Sequence, residues 1–184
     1  MTEKLNIALI GCGSWGKNIA RNLHQIGTLA CIYDTDQNLL QKINQNFNLP
    51  TYSINDIFKN EKIQALVIAS AAKTHKDLAE EALLNNKDVF IEKPFCLSLS
   101  DATNLSKLAI KKNRVLMVGH LLNYHNAFIK MKDLIKEGKI GKIKNIRAHR
   151  LALGAIRYHE SVVYDLAAHD ISMILSITQE LPVE

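Results

Sequence analysis

Aromatic residues are scarce in this 184-residue chain, at 6%, and proline and glycine are few, at 3 and 8. That leaves little material for low-complexity linkers or for the dense turns of an all-β architecture. Three cysteines, Cys12, Cys31 and Cys96, are an odd number without C-x-x-C spacing, so neither a disulfide framework nor a metal site is expected. The longest apolar run, Ala65 to Ala72 with one serine, is far too short to cross a bilayer. The opening Met1-Thr2-Glu3-Lys4 lacks the apolar stretch of an export signal, so a soluble, cytoplasmic protein with no membrane partner is expected. What is present is ordinary globular material, 47% hydrophobic and 22% charged. It suffices for one domain with a sizeable core, or one domain and part of another.

The net charge of +5 raises the question of a nucleic-acid partner. The lysines, however, are spread along the chain, and lysine greatly outnumbers arginine. One denser stretch holds Lys136, Lys139, Lys142, Lys144, Arg147 and Arg150. It reads either as a solvated helix end followed by a strand with one wet face, or as an attraction for an anionic small molecule. In the second reading the Arg150–Arg157 region meets an anionic group of a substrate. No nucleic-acid partner is expected.

Leu5 to Ile10 is a short apolar run ending in Gly11 and reads as a buried strand. Ser14 to Gly27 follows with helical spacing, Leu29 to Tyr33 is a second strand, and Asp36 starts a second helix. A short extended piece and a helical turn around Ile54 to Phe58 come next. The pattern then repeats: strand Ala65–Ala69, helix Thr74–Asn86, strand Asp88–Ile91, helix Ser100–Lys112 capped by a serine, strand Val115–Val118. Strands alternating with helices of ten to fifteen residues predict an α/β fold, a doubly wound parallel sheet of six strands in two βαβαβ halves. After Gly119 the rhythm changes. Tyr124–Glu137 reads as a helix, Lys142–Leu151 as a strand, and Ser161–Thr178 as a final helix. Residues 1–120 are therefore expected to form a dinucleotide-binding domain, and 121–184 the start of a second α/β domain left incomplete.

Gly11-Cys12-Gly13-Ser14-Trp15-Gly16 fits G-x-G-x-x-G at the junction of the first strand and first helix. The first glycine allows a tight turn, the second lets backbone approach a pyrophosphate, and the third lets helix pack close to sheet. The helix N-terminus supplies free N–H donors and partial positive charge. Asp34 ends the second strand, where an acid accepts bonds from a ribose hydroxyl pair and repels a 2′-phosphate, favouring NAD over NADP. Glu92-Lys93-Pro94 follows another strand, so Lys93 is a candidate base, a cation steadying an alkoxide, or simply a lysine in a proline turn. Asp165 and His169 lie one turn apart on the last helix. There a carboxylate can orient an imidazole as a general base, or simply serve as helix-start capping.

Together the glycine motif, Ala69-Ser70-Ala71-Ala72-Lys73-Thr74-His75, Glu92-Lys93-Pro94, Gly119-His120 and Asp165-x-x-x-His169-Asp170 resemble the Gfo/Idh/MocA family of sugar dehydrogenases. The resemblance implies a Rossmann domain followed by an α/β domain whose open sheet forms an oligomer interface. It gives Lys93, His169 and Asp165 catalytic roles and makes the Lys93–Pro94 bond cis. Ser14, Trp15 and Ser70 join the glycines and Asp34 in the implied cofactor set. So do Lys93 itself, Glu92 and His120 near the ribose, and His75 on the adenine side. The implied reaction passes a hydride between NAD and a hydroxyl or keto group of a sugar or nucleotide sugar. Two departures stand out. Ala-Ala-Lys replaces a proline-containing segment before His75, and family members are much longer. The chain thus reads as a truncated member or half of a split enzyme that a homo-oligomer or partner chain completes. The alternatives are a catalytically inactive dinucleotide-binding module and, less well matched, a methyltransferase.

Overall fold

The computed structural model describes residues 4–151 and 161–183. Residues 1–119 and 120–184 form two compact units.

In the first unit the strands are β1 (Ile7–Ile10), β2 (Leu29–Tyr33), β3 (Ala65–Ile68), β4 (Asp88–Ile91) and β5 (Leu116–Val118), all pairing in parallel. Their order in the sheet is β2-β1-β3-β4-β5. The chain runs outward from β1 to β2 and then crosses back over to β3 on the other side of β1. This reversal opens a crevice at the carboxyl ends of β1 and β3, where open α/β sheets bind ligands. Sequence spacing predicts six strands, but the described residues form five. The piece before Ile54 is not a strand, because Ser53 is already turning the chain, its hydroxyl accepting the Asp56 N–H at the start of α3 (Ile54–Lys59).

Strand residues alternate between two apolar cores, which is why these runs are apolar throughout. Ala8, Ile10, Leu66, Ile68, Val89 and Ile91 share one core with α3, α4 (His75–Leu84) and α5 (Leu99–Lys112). Leu9, Ile32 and Val67 share the other with Ala20 of α1 (Gly16–Gln25) and Leu40 of α2 (Gln37–Asn44). Helix α5 takes its cap from Ser98 rather than Ser100: the Ser98 hydroxyl accepts the Asp101 N–H at 3.1 Å and donates to its carboxylate at 2.7 Å. This reciprocal arrangement fits a Ser-x-x-Asp start. Lys87, nearly buried, donates through Nζ to the carbonyls of Asn60 and Ile63 at 2.7 and 2.8 Å, and burial lowers its pKa.

The second unit holds a 3₁₀ turn (Leu121–Tyr124), α6 (Asn126–Lys136), a π-helical turn (Val163–Ala167) and α7 (Ala168–Thr178). The strand expected over residues 142–151 does not form. Its alternation of apolar and basic residues suits a half-buried strand, but no neighbouring strand is present among the described residues of this unit, so its backbone has no ladder to join. The last helix is not a continuous α-helix either, since its first turn takes the wider π geometry. Among the described residues, no helix is long and apolar enough to cross a membrane.

All three cysteines are buried and unpaired, and burial pushes their thiols up to about 12, about 12 and about 11 for Cys12, Cys31 and Cys96. At pH 8 about one thiol in a thousand or fewer is the reactive thiolate. We predict that Ellman's reagent at pH 8 leaves the native chain unmodified over minutes, whereas denatured chain reacts at all three positions. Rapid native reaction would contradict the burial.

Candidate functional site

The glycine turn after β1 is built by contacts that leave no room for side chains. Gly11 has φ +98°, and a Cβ there would lie 2.6 Å from the backbone of Ala69 and Ser70. At Gly16 a Cβ would strike the carbonyl oxygen of Gly11. Gly13 differs: a Cβ on it would meet nothing within 4 Å. Its lack of a side chain therefore serves nothing inside the protein and leaves an exposed backbone beside the N-terminus of α1. In the first turn of α1 the N–H groups of Lys17, Asn18 and Ile19 are already given to the carbonyls of Gly13 and Trp15, so the setting for an anion is the backbone of residues 13–16 at the positive end of the helix.

Asp34 completes the turn. Its Oδ2 accepts the Cys12 N–H at 2.7 Å and its Oδ1 accepts the Asp36 N–H at 2.9 Å. The carboxylate thus ties the end of β2 to the glycine turn while each oxygen keeps further accepting capacity. A cleft of about 460 Å³ opens beside it, lined by Gly11, Gly13, Asp34, Ser70, Lys73 and Thr74 with apolar walls from Ile10, Ile54 and Leu78. Its size and its mixture of apolar walls and few polar groups suit half of a dinucleotide. The residues present fit such a cofactor: an anion cradle at Gly13, a hydroxyl acceptor at Asp34, and apolar surface for a base.

Among the other residues singled out by sequence, Ser14 and Trp15 are exposed in the turn immediately before α1. The Ser70 hydroxyl shares a 2.7 Å hydrogen bond with Thr74. His75 is 1% exposed, and its two ring nitrogens face the carbonyl oxygens of Pro94 at 2.8 Å and Ser70 at 3.1 Å. It lies between the loop after β3 and the loop after β4, inside the protein. The Lys93–Pro94 bond is cis. Lys93 is half-buried beside Glu92, whose Oε1 accepts the Trp15 indole N–H at 2.8 Å and whose Oε2 accepts the Lys93 N–H at 3.3 Å. Sequence spacing gives no hint of the Trp15–Glu92 bond, which spans 77 residues.

In the second unit His120 follows β5, and burial lowers its imidazole pKa from the ordinary 6.5. Asp165 sits in the π turn and His169 in the first turn of α7. The spacing between them is therefore set by the wider turn, not by simple α-helical stacking. The residue after His169 has a role the sequence does not reveal. Asp170 accepts two bonds from Arg150, Nε to Oδ2 and Nη2 to Oδ1, both at 2.8 Å. The guanidinium holds the Asp170 carboxyl below its ordinary range. Arg150 is thus committed to a carboxylate, which removes the reason to assign it to an anionic substrate group; Arg157 lies outside the described residues.

Residues 5–120 match the model of the Gfo/Idh/MocA oxidoreductase family, described as having an NAD-binding Rossmann fold. The chain belongs to that family. It is 29% identical over 150 residues to 2,7-anhydro-N-acetylneuraminate hydratase of Escherichia coli, covering 79% of this chain and 40% of the relative. It is 26% identical to myo-inositol 2-dehydrogenase of Thermotoga maritima, covering 96% of this chain and 55% of that one. The solved UDP-N-acetylglucosamine 3-dehydrogenase of Acidithiobacillus ferrooxidans superposes with a TM-score of 0.88 at 26% identity, covering all of this chain and 60% of that one. The chain thus spans about half the length of the relatives it matches.

The two kinds of glycine separate stability from binding. Gly16→Ala is expected to lower stability by about 1–3 kcal/mol, the range for overpacking a filled site. Gly13→Ala is expected to stay within about 0.5 kcal/mol of wild type while weakening NAD binding about tenfold or more. Urea denaturation and calorimetric titration measure the two effects. Equal loss of stability in both variants would contradict the distinction.

Proposed function

We propose that this chain binds NAD at the carboxyl ends of β1–β3 and takes part in hydride transfer between that dinucleotide and a hydroxyl or keto group of a sugar or nucleotide sugar. The observation that carries the reading is the exposed backbone at Gly13, which no protein atom fills, beside a cleft holding the Asp34 carboxylate. Family membership, and relatives named for inositol and UDP-N-acetylglucosamine dehydrogenation, support the same class of substrate. Residues 1–120 are the dinucleotide-binding domain, and 121–184 open the substrate domain.

In this reading the α1 N-terminus and the Gly13 backbone hold the pyrophosphate, and Asp34 accepts bonds from the adenosine ribose and repels a 2′-phosphate. When bound, NAD supplies the hydride acceptor. The chain's own groups handle the proton: His169, oriented by Asp165, accepts it from the substrate hydroxyl, and the Lys93 ammonium steadies the oxygen as negative charge develops. Proton transfer to a positioned base of this kind is worth about two to four orders of magnitude in rate.

Lys93→Met and His169→Ala are therefore each expected to lower turnover at least about a hundredfold, and His169→Ala to leave NADH affinity within about twofold. Kinetics on a panel of sugars and nucleotide sugars, with parallel NADH titrations, test both. Loss of binding together with turnover in His169→Ala would contradict the assigned roles. NADH binding without turnover of any sugar by the wild-type chain would favour the alternative, a dinucleotide-binding module that acts only with a partner chain.

A further inference from the structure

The bond between Trp15 and Glu92 is left unused by the roles assigned above. Trp15 is the chain's single tryptophan and is 45% exposed, so water could satisfy its indole. The N–H is instead directed at Glu92 Oε1, 2.8 Å away. The Glu92 carboxylate has two further neighbours. Its Oε2 accepts the Lys93 N–H, and a Cβ at Gly119 would come within 2.9 Å of Oε1 and 3.1 Å of Cδ. The missing side chain at the end of β5 leaves room for the carboxylate and for the Phe90 ring beside it. The carboxylate's orientation is thus set by two hydrogen bonds, from the indole N–H to Oε1 and from the Lys93 N–H to Oε2, in space that Gly119 leaves open.

The placement of this carboxylate gives it an electrostatic consequence. Asp34 lies on the β2 side of the α1 N-terminus, at one edge of a cleft that extends across to the loop after β3. Trp15 leaves the same terminus and reaches the other way, to the end of β4. A dinucleotide with its adenosine at Asp34 and its pyrophosphate across the α1 N-terminus runs its nicotinamide toward Glu92. The oxidised nicotinamide ring is cationic and the reduced ring neutral. A carboxylate held at that end therefore interacts differently with the two forms, and such charge pairs near a protein surface remain strong enough to alter affinity severalfold.

We propose that Trp15 is a positioning residue which, by holding the Glu92 carboxylate, raises the affinity of the chain for oxidised relative to reduced NAD. The proposal rests on the NAD-binding reading above. It deepens that reading by assigning redox discrimination to a residue pair rather than to the cleft as a whole.

Two substitutions separate the charge from the bond that orients it. Glu92→Gln keeps an oxygen able to accept the indole N–H but removes the charge; Trp15→Phe keeps the charge and most of the apolar bulk but removes the donor. Calorimetric titration of the full chain with NAD⁺ and with NADH gives the ratio of the two affinities. That ratio is measured within each folded variant and does not depend on the variant's stability. The ratio is expected to fall about tenfold in Glu92→Gln and about threefold in Trp15→Phe. It is expected to change no further when Trp15→Phe is added to Glu92→Gln, because the indole acts through the charge. Gly119→Ala, whose methyl would crowd the carboxylate, is expected to lower the ratio with Trp15 intact. An unchanged ratio in Glu92→Gln overturns the proposal, as does a Trp15→Phe effect of equal size in both backgrounds. Absence of wild-type binding to either form overturns the underlying NAD reading as well.

Discussion

At the nucleotide end of the sheet, backbone packs on backbone with no space for a side chain. Gly11 presses on the main chain of Ala69 and Ser70, and Gly16 presses on the carbonyl of Gly11. These contacts bring the turn after β1, the start of α1 and the loop after β3 to one point. The Asp34 carboxylate then draws the end of β2 to the same point through the Cys12 N–H. Gly13 is exempt from this crowding, and its open face is where the crowded turn meets solvent. A single turn is thus steric where it meets the protein and empty of side chain where an anion would lie.

On either side of that turn stands a carboxylate held by an N–H from the turn itself. Asp34 takes the Cys12 amide, and Glu92 takes the Trp15 indole. The two acids mark the two ends of the space a dinucleotide would span, and the positive end of the α1 dipole lies between them. His75, buried at the start of α4, lies between the loops after β3 and β4, its two ring nitrogens each facing a carbonyl oxygen of one loop. The second unit is described by its own contacts, chiefly the bidentate Arg150–Asp170 pair beside His169.

The legible parts of the fold are those whose physics is local. Apolar runs such as Leu66–Ile68 read as strands because both faces of a parallel strand are buried, and the glycine turn reads from its position between strand and helix. Where a neighbour decides, the sequence misleads. The run over residues 142–151 alternates like a strand, but a strand exists only with a partner to pair with. Ser98 and Ser100 look equally able to cap α5, and the Asp101 side chain three residues beyond Ser98 selects the former. The π turn around Asp165 leaves no mark in a periodicity that reads as ordinary helix. Within the site, Gly11, Gly13, Gly16 and Asp34 are legible as a motif. The Trp15–Glu92 and Arg150–Asp170 bonds are not, because they depend on which elements lie side by side, and charge counting alone sends Arg150 toward a ligand instead of toward Asp170.

The central claim is that the dinucleotide lies across the carboxyl ends of the strands with its pyrophosphate at the glycine turn. Backbone amide resonances of isotope-labelled chain, followed during titration with NAD⁺, test it directly. The largest shifts should fall on residues 11–16, on Asp34 and Thr35, and on residues 70–74. Shifts confined to the opposite ends of the strands, around Asn6, Gln64 and Lys87, or no shifts at saturating dinucleotide, would contradict it.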